Sequence, residues 1–356
     1  MNNKLVLLVS FNMYKGGSLT IYKNIEKLIN QNKNIINITF NKKFKFNINS
    51  KIEFIYPIKR FNIFYRIFIE QIFVYFLASI KKTNLIILLG NFPCILWGRE
   101  QRILFHNLLY IDCLKNPSNF GIKLICESRF WAFCIKIVKP KIFVQTNYIK
   151  ETLKNFFNFD LDIEILGAPI IDHQEDTEIT TIPENHEKIK SSSNIKIDNN
   201  FFHLFYPAIF YPHKNHKFLF DCSDIFLKRN MKVHLTIDEK LFKDFDNKEA
   251  FIFHKNITKN DLIYLYKNTN ALIYTSLVES LGMPLLEVTE YQKSVIAINL
   301  PYVNSAIINF YSFEGKKSSL DMTLNKFKDD YLNRKNKIAK TRINIDCRIF
   351  FEKLIK

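Results

Sequence analysis

Short runs of apolar residues alternate with longer stretches of helical period along most of the chain. In the first half the strand-like runs are Leu5–Ser10, Ile35–Phe40, Ile52–Tyr56, Leu85–Leu89, Ile103–His106, Ile142–Gln145 and Ile163–Leu166. Segments with apolar residues at helical spacing lie between them, at Leu19–Ile29, Phe61–Ile80 and Tyr148–Phe156. Buried strands alternating with helices predict a parallel, doubly wound sheet. Residues 171–200 interrupt this rhythm: they hold few large apolar side chains and no sustained period, which predicts a linker or surface loop. The alternation then restarts, with strands predicted at Phe202–Tyr206, Lys232–Thr236, Ala250–Phe253, Ala271–Tyr274 and Ser294–Ile298. Helices are predicted at Lys214–Leu227, Lys259–Lys267, Pro284–Tyr291 and, near the end, Arg348–Lys356. The expectation is therefore two α/β domains, with ligands bound near the carboxyl ends of their strands.

Composition fits this picture. The chain has 356 residues, enough for two domains of middling size, and its 47% hydrophobic and 24% charged residues are those of a globular protein. The net charge of +17 is uneven: residues 1–160 hold 24 Lys and Arg against 8 Asp and Glu, a net +16. Such a basic half implies an anionic partner, either a membrane surface or a phosphorylated substrate. Nucleic acid is not expected, because no zinc-finger spacing, RNA-recognition signature or arginine-rich arm is present. Six cysteines without a CxxC pair read as reduced thiols of a cytosolic protein. The chain runs straight into the strand-like KLVLLVS, so no signal peptide is expected. No stretch reaches the roughly 20 apolar residues of a spanning helix. The segment Phe61–Lys82, with Lys59, Arg60, Arg66, Lys81 and Lys82, reads either as a helix covering the sheet or as one lying on anionic lipid. The charge asymmetry favours the second.

The chemistry concentrates in ALIYTSLVESLGMPLLEVTEYQKSVIAINLP, residues 271–301. A strand ends near Thr275, a loop with Glu279, Ser280 and Gly282 follows, and Pro284 opens a helix. Backbone N–H groups around Leu281, Gly282 and Met283 then lie at the positive end of a helix dipole and suit a diphosphate. Glu279 precedes this anion site and Glu287 lies one turn inside the helix. The two carboxylates can accept hydroxyl groups on either side of the diphosphate, which is the layout of a nucleotide sugar. A first-turn glutamate is also favoured by the helix dipole alone, so the whole string carries more weight than Glu287.

VESLGMPLLE followed by SVIAINLPYV resembles the glutamate-x7-glutamate signature of family 4 retaining glycosyltransferases, which read close to E-G-F-G-x-P-x-x-E before P-V-I-A. The chain agrees at Glu279, Gly282, Pro284 and Glu287 and departs at Ser280 and Leu281. FHLFYPAIFYPHKNHKFLFD, residues 202–221, resembles the start of that family's C-terminal domain, and Lys214 falls where the family has its diphosphate-binding lysine. The neighbouring His213, Asn215 and His216 can add to a phosphate cradle, and a metal site from the two histidines lacks a third ligand. The arginine common in the family about six residues earlier is Ala208 here. In the first half the Gly16–Gly17 pair between strand and helix matches the loop whose glycines face the donor phosphates in the family. The resemblance also places His106 at the donor sugar, although a core histidine fits the residue equally well. Asp112, six residues on, is a candidate for an acceptor hydroxyl.

The resemblance implies a GT-B fold, that is, two Rossmann-like domains facing across a cleft. It implies an acceptor-binding domain at 1–170, a linker at 171–200, a nucleotide-sugar-binding domain at 201–340 and a C-terminal helix within 341–356 crossing back to the first domain. The implied reaction is retaining transfer from a UDP- or GDP-sugar to a glycan or lipid-linked acceptor, with Glu279, His106 and Lys214 catalytic and no cofactor or metal. The Asp-x-Asp triplets at Asp160/Asp162 and Asp244/Asp246 read as surface charge, against a metal-dependent GT-A enzyme. The implied setting is lipopolysaccharide O-antigen or capsule synthesis, in the cytoplasm at the inner face of the membrane. Two alternatives remain open: a nucleotide-sugar epimerase, and an inactive membrane-associated scaffold, which Ala208 favours.

Overall fold

The computed structural model describes residues 5–10, 13, 16–40, 45–48, 52–55, 63–170, 195–241 and 246–356. The chain divides into two compact units, Met1–Asp172 with Ile343–Lys356, and His173–Arg342. The segment expected as a linker lies outside the described residues for all but its last few positions, as do Lys59, Arg60 and Asp244.

The first unit opens with β1 (Val6–Ser10), α1 (Gly16–Gln31), β2 (Ile35–Phe40), β3 (Lys45–Ile48), β4 (Ile52–Ile55), α2 (Ile63–Ile80) and β5 (Leu85–Leu88). It continues with β6 (Gln101–Leu104), α3 (Leu109–Lys115), α4 (Ile122–Val138), β7 (Lys141–Val144), α5 (Asn147–Phe156), β8 (Ile163–Ile165) and β9 (Ala168–Ile170). Eight strands form one sheet in the order β4-β3-β2-β1-β5-β6-β7-β8. The sheet is parallel except at one edge, where β2–β3 and β3–β4 pair antiparallel. The purely parallel sheet read from the pattern is corrected there: β3 was not foreseen. The central strands are apolar on both faces because helices cover both, and Leu7, Leu8, Ile86, Ile87 and Ile142 are fully buried. α2 buries Val74 and Ala78 but exposes Phe76 and Ile80. Among the described residues, no helix is long and apolar enough to cross a membrane.

The second unit holds β10 (Phe202–Tyr206), α6 (His216–Asp221), α7 (Ser223–Lys228), β11 (Met231–Leu235), β12 (Phe251–Phe253), α8 (Lys259–Asn268), β13 (Ala271–Tyr274) and α9 (Met283–Glu290). It ends with β14 (Ser294–Ile298), α10 (Pro301–Ala306), β15 (Ile307–Ile308), β16 (Tyr311–Phe313), α11 (Lys317–Leu332) and β17 (Lys340–Thr341). Six strands pair in the order β12-β11-β10-β13-β14-β16, all parallel. Strand order reverses between β10 and β13, so the loops leaving these two strands flank a topological switch point. The single helix expected over Lys214–Leu227 is instead a 3-10 turn at Pro212–Lys214, a left-handed Asn215, and the two short helices α6 and α7.

Within this unit three histidines form a hydrogen-bonded row across the first strands. His203 Nε2 lies 2.8 Å from the Asp198 carbonyl, His203 Nδ1 2.7 Å from His234 Nε2, and His234 Nδ1 2.8 Å from His254 Nε2. The carbonyl can only accept, so in the neutral row each Nε2–H donates and each Nδ1 accepts. Burial lowers the pKa of all three rings, which keeps the row neutral near pH 7.

The chain returns to the first unit through β18 (Asn344–Asp346), which pairs in parallel with β9, and α12 (Cys347–Ile355). Gly167 has φ +79°, and a Cβ on it would stand 2.7 Å from the Ile343 carbonyl oxygen, which explains glycine where the two passages meet. Asp346 caps α12 by accepting from the N–H groups of Arg348 and Ile349. α12 packs against α1 and buries Phe350, Phe351 and Leu354, and Arg102 Nη1 donates to the Leu354 carbonyl at 3.1 Å.

Candidate active site

Of the residues expected at the donor site, Lys214, Glu279, Ser280, Leu281, Gly282, Met283 and Glu287 belong to the second unit, in the segments that follow β10 and β13. After β10 the chain turns through Pro212–Lys214, and this turn is tied to the loop after β13. Tyr206 Oη donates to the Lys214 carbonyl at 2.5 Å, Thr275 Oγ1 to the same carbonyl at 3.3 Å, and the Leu277 N–H to the His213 carbonyl at 2.7 Å. These bonds aim the Lys214 side chain at Glu279, and the two form an ion pair with little solvent exposure. Tyr274 Oη also donates to Glu279 Oε1, at 2.9 Å. A lysine paired with a carboxylate in this way can exchange that partner for another anion, while Tyr274 remains a donor to Glu279.

Gly282 precedes α9 in the left-handed region, φ +67°, where a Cβ would press on the Leu285 side chain at 3.0 Å. Met283 is the first helical residue and Pro284 the second, one place later than the sequence suggested. Among the described residues no side chain caps this helix. The amides of Gly282 and Met283 thus stand at the positive end of the dipole without a side-chain acceptor, which is an anion-binding arrangement. Ser280 is half-buried and Leu281 buried in the loop leading to it. Glu287 does not join Glu279. Its Oε2 accepts from Tyr266 Oη of α8 at 2.7 Å, and burial pushes its carboxyl pKa up while this bond pulls it down.

One member of the expected phosphate cradle, His216, is buried. His216 Nε2 donates to the Ala208 carbonyl at 3.2 Å, its Nδ1 is buried without a partner among the described residues, and burial lowers its pKa to about 4. Asn215 is the left-handed residue between the turn and α6. Ala208, at the position of the missing arginine, is buried, and its carbonyl also accepts from Thr236 Oγ1 at 3.3 Å. No cluster of three potential metal ligands occurs among the described residues, and His213 and His216 gain no third partner for one.

In the first unit Gly16 and Gly17 are the opening residues of α1. β6 ends at Leu104, so His106 lies in the loop beyond it rather than in the strand. Its N–H donates to Asn91 Oδ1 at 2.8 Å and its Nδ1–H to the Leu104 carbonyl at 3.2 Å. Burial lowers its pKa to about 4, so Nε2 is an acceptor at neutral pH. Asp112 is half-buried in α3 and accepts from Asn116 Nδ2 at 3.2 Å. Asp160 and Asp162 are exposed, and all six cysteines are free thiols. Sequence reasoning missed Tyr206, Tyr266 and Tyr274. Their signal was only that of buried aromatic positions in regular elements.

Residues 187–342 match the family model described as glycosyl transferases group 1. No curated protein matches the chain in sequence. Among solved structures the chain is similar to WaaG, a glycosyltransferase involved in lipopolysaccharide biosynthesis, with a TM-score of 0.67, 14% identity, and coverage of 93% of this chain and 92% of that one. It is similar to a glycosyltransferase from Rickettsia africae, with a TM-score of 0.63, 15% identity, and coverage of 100% and 97%. It is also similar to Anabaena HepE in complex with UDP and glucose, with a TM-score of 0.59, 12% identity, and coverage of 92% and 91%. Two Rossmann-like units matched over nearly their full length define the GT-B fold.

Proposed function

We propose that this protein is a retaining, metal-independent glycosyltransferase that moves a sugar from a UDP- or GDP-sugar to a hydroxyl of a glycan or lipid-linked acceptor. The observation that carries this reading is the grouping of Lys214, Glu279 and the uncapped start of α9 at the switch point of a parallel sheet. The match of residues 187–342 to glycosyl transferases group 1 supports it, as does the likeness to a fold that holds UDP and glucose in the Anabaena protein. In the proposed reaction the acceptor hydroxyl attacks on the face from which the nucleotide leaves, and the departing diphosphate takes the proton. Lys214 and the first-turn amides of α9 stabilise the charge that grows on that leaving group. Glu279 holds hydroxyls of the donor sugar, Ser280 and Leu281 line its phosphate side, and Glu287 accepts from a hydroxyl of the nucleotide. The proposed roles in the first unit are donor contact for Gly16, Gly17 and His106, and acceptor contact for Asp112.

The setting we propose is surface polysaccharide synthesis, O-antigen or capsule, at the inner face of the cell membrane. The +16 charge of residues 1–160 and the exposed Phe76, Ile80, Phe133 and Ile137 of α2 and α4 support contact with anionic lipid. Ala208 in place of an arginine favours a second reading, an inactive scaffold of the same pathway.

Thermal-shift titration with UDP, GDP, ADP and NAD, each with and without EDTA, separates these readings. A nucleotide at a hundred times its dissociation constant adds about 2.7 kcal/mol. Stabilisation by UDP or GDP alone, unchanged by EDTA and lost in Glu287→Ala, is the expected result. A folded protein that responds to none of the four would leave the scaffold as the better account.

A further inference from the structure

Glu287 has one hydrogen-bond partner among the described residues, the Tyr266 hydroxyl at 2.7 Å. That tyrosine has little freedom of its own. It is 2% exposed, its ring lies parallel to Tyr291 at 5.4 Å between centroids and 9° between planes, and it meets Phe205 of β10 edge-on at 5.1 Å. Phe205 of β10 and Tyr291 at the end of α9 therefore hold the Tyr266 ring of α8, and with it the position of a single hydroxyl. A glutamate carboxyl left alone rotates broadly about its last torsion. Here Oε2 is occupied from inside the protein, and Oε1 is the oxygen left for a ligand. Glu279 is held differently, by both Lys214 and Tyr274.

We infer that Tyr266 is a positioning residue for nucleotide binding, orienting Glu287 so that one carboxylate oxygen accepts a single hydroxyl of the donor. The inference rests on the proposed nucleotide-sugar reading of the site. Tyr266 touches no ligand in this arrangement and acts through Glu287. Its hydroxyl also favours the ionised carboxylate against the burial that opposes it, so the bond affects charge as well as direction. The carboxylate must be ionised to accept, and binding weakens as pH falls through the Glu287 pKa. Removing the hydroxyl raises that pKa, which moves the loss of binding to higher pH.

The test is calorimetric titration of the full chain with UDP and with GDP between pH 5 and 8, for wild type, Tyr266→Phe and Glu287→Gln. Tyr266→Phe keeps the ring and its packing, and a melting curve of each variant confirms folding. Expected results are about fivefold weaker binding by Tyr266→Phe at pH 7.5, the loss of one ordinary hydrogen bond, and an acid limb displaced to higher pH. Glu287→Gln is expected to bind weakly with no acid limb, which assigns the limb to Glu287. Unchanged affinity and profile in Tyr266→Phe would overturn the inference. So would a uniform loss at every pH with the limb unmoved, since that describes packing alone. Wild-type protein that binds neither nucleotide would remove the functional reading and this inference together, an outcome distinct from the other two.

Discussion

Single residues in this protein divide into those whose polar groups are spent and those whose groups are not. Gln145, at the end of β7, is fully buried, and neither atom of its side-chain amide has a partner among the described residues. An unpaired buried amide costs free energy that an apolar side chain of similar shape avoids. Gln145→Met is therefore expected to raise stability by about 1 kcal/mol, seen as a higher urea midpoint with an unchanged slope. A lower midpoint would show that the amide is engaged after all. At the candidate site, sequence reading identified the charged residues but not what holds them. Glu279 and Glu287 stand in one recognisable string and Lys214 in another, whereas Tyr206, Tyr266 and Tyr274 lie inside α/β elements where an aromatic residue signals burial and nothing more. Tyr266 is 21 residues from the carboxylate it holds, and no local periodicity reports that distance.

At the scale of elements, legibility followed burial. Phe202–Tyr206, Ala271–Tyr274 and Ser294–Ile298 were read to the residue because each is a short apolar run enclosed on both faces. α11 was missed because it buries only Leu320, Leu324 and Phe327, a thin stripe in a polar sequence. α4 was missed for the opposite reason: its apolar and polar positions are mixed, so no single face stands out. The histidine row across β10, β11 and beyond was also invisible, since it depends on which strands become neighbours. Its consequence is a pH dependence. The folded pKa values lie below the ordinary histidine value near 6.5, so the unfolded chain takes up protons first as pH falls. The stability these neutral rings provide is complete above about pH 6.5 and is lost as pH falls toward their lower folded values; His106 and His216, outside the row and lowered by burial to about 4, act in the same direction. Urea midpoints are expected to fall steadily from pH 7 to pH 5, and a flat profile would contradict the buried neutral row.

The chain leaves the first unit and later re-enters it, and the strands of that unit on either side of the excursion, β9 and β18, lie side by side as a parallel pair. α12 completes the first unit through Phe350, which is fully buried. Phe350→Ala is expected to destabilise that unit by about 3–5 kcal/mol. Pulse proteolysis should find new cleavage within residues 63–170 before any within 201–342, and the reverse order would argue against α12 as part of the first core. The same connectivity constrains how the protein is made. A ribosome delivers the sheet of the first unit early, yet β18 and α12 emerge only after all of the second unit has been synthesised. The nascent chain must carry its earliest sheet with one flank of α1 uncovered while a complete six-stranded domain forms behind it. The unit begun first is finished last, and that interval is when this basic, apolar half is most open to chaperones and to aggregation.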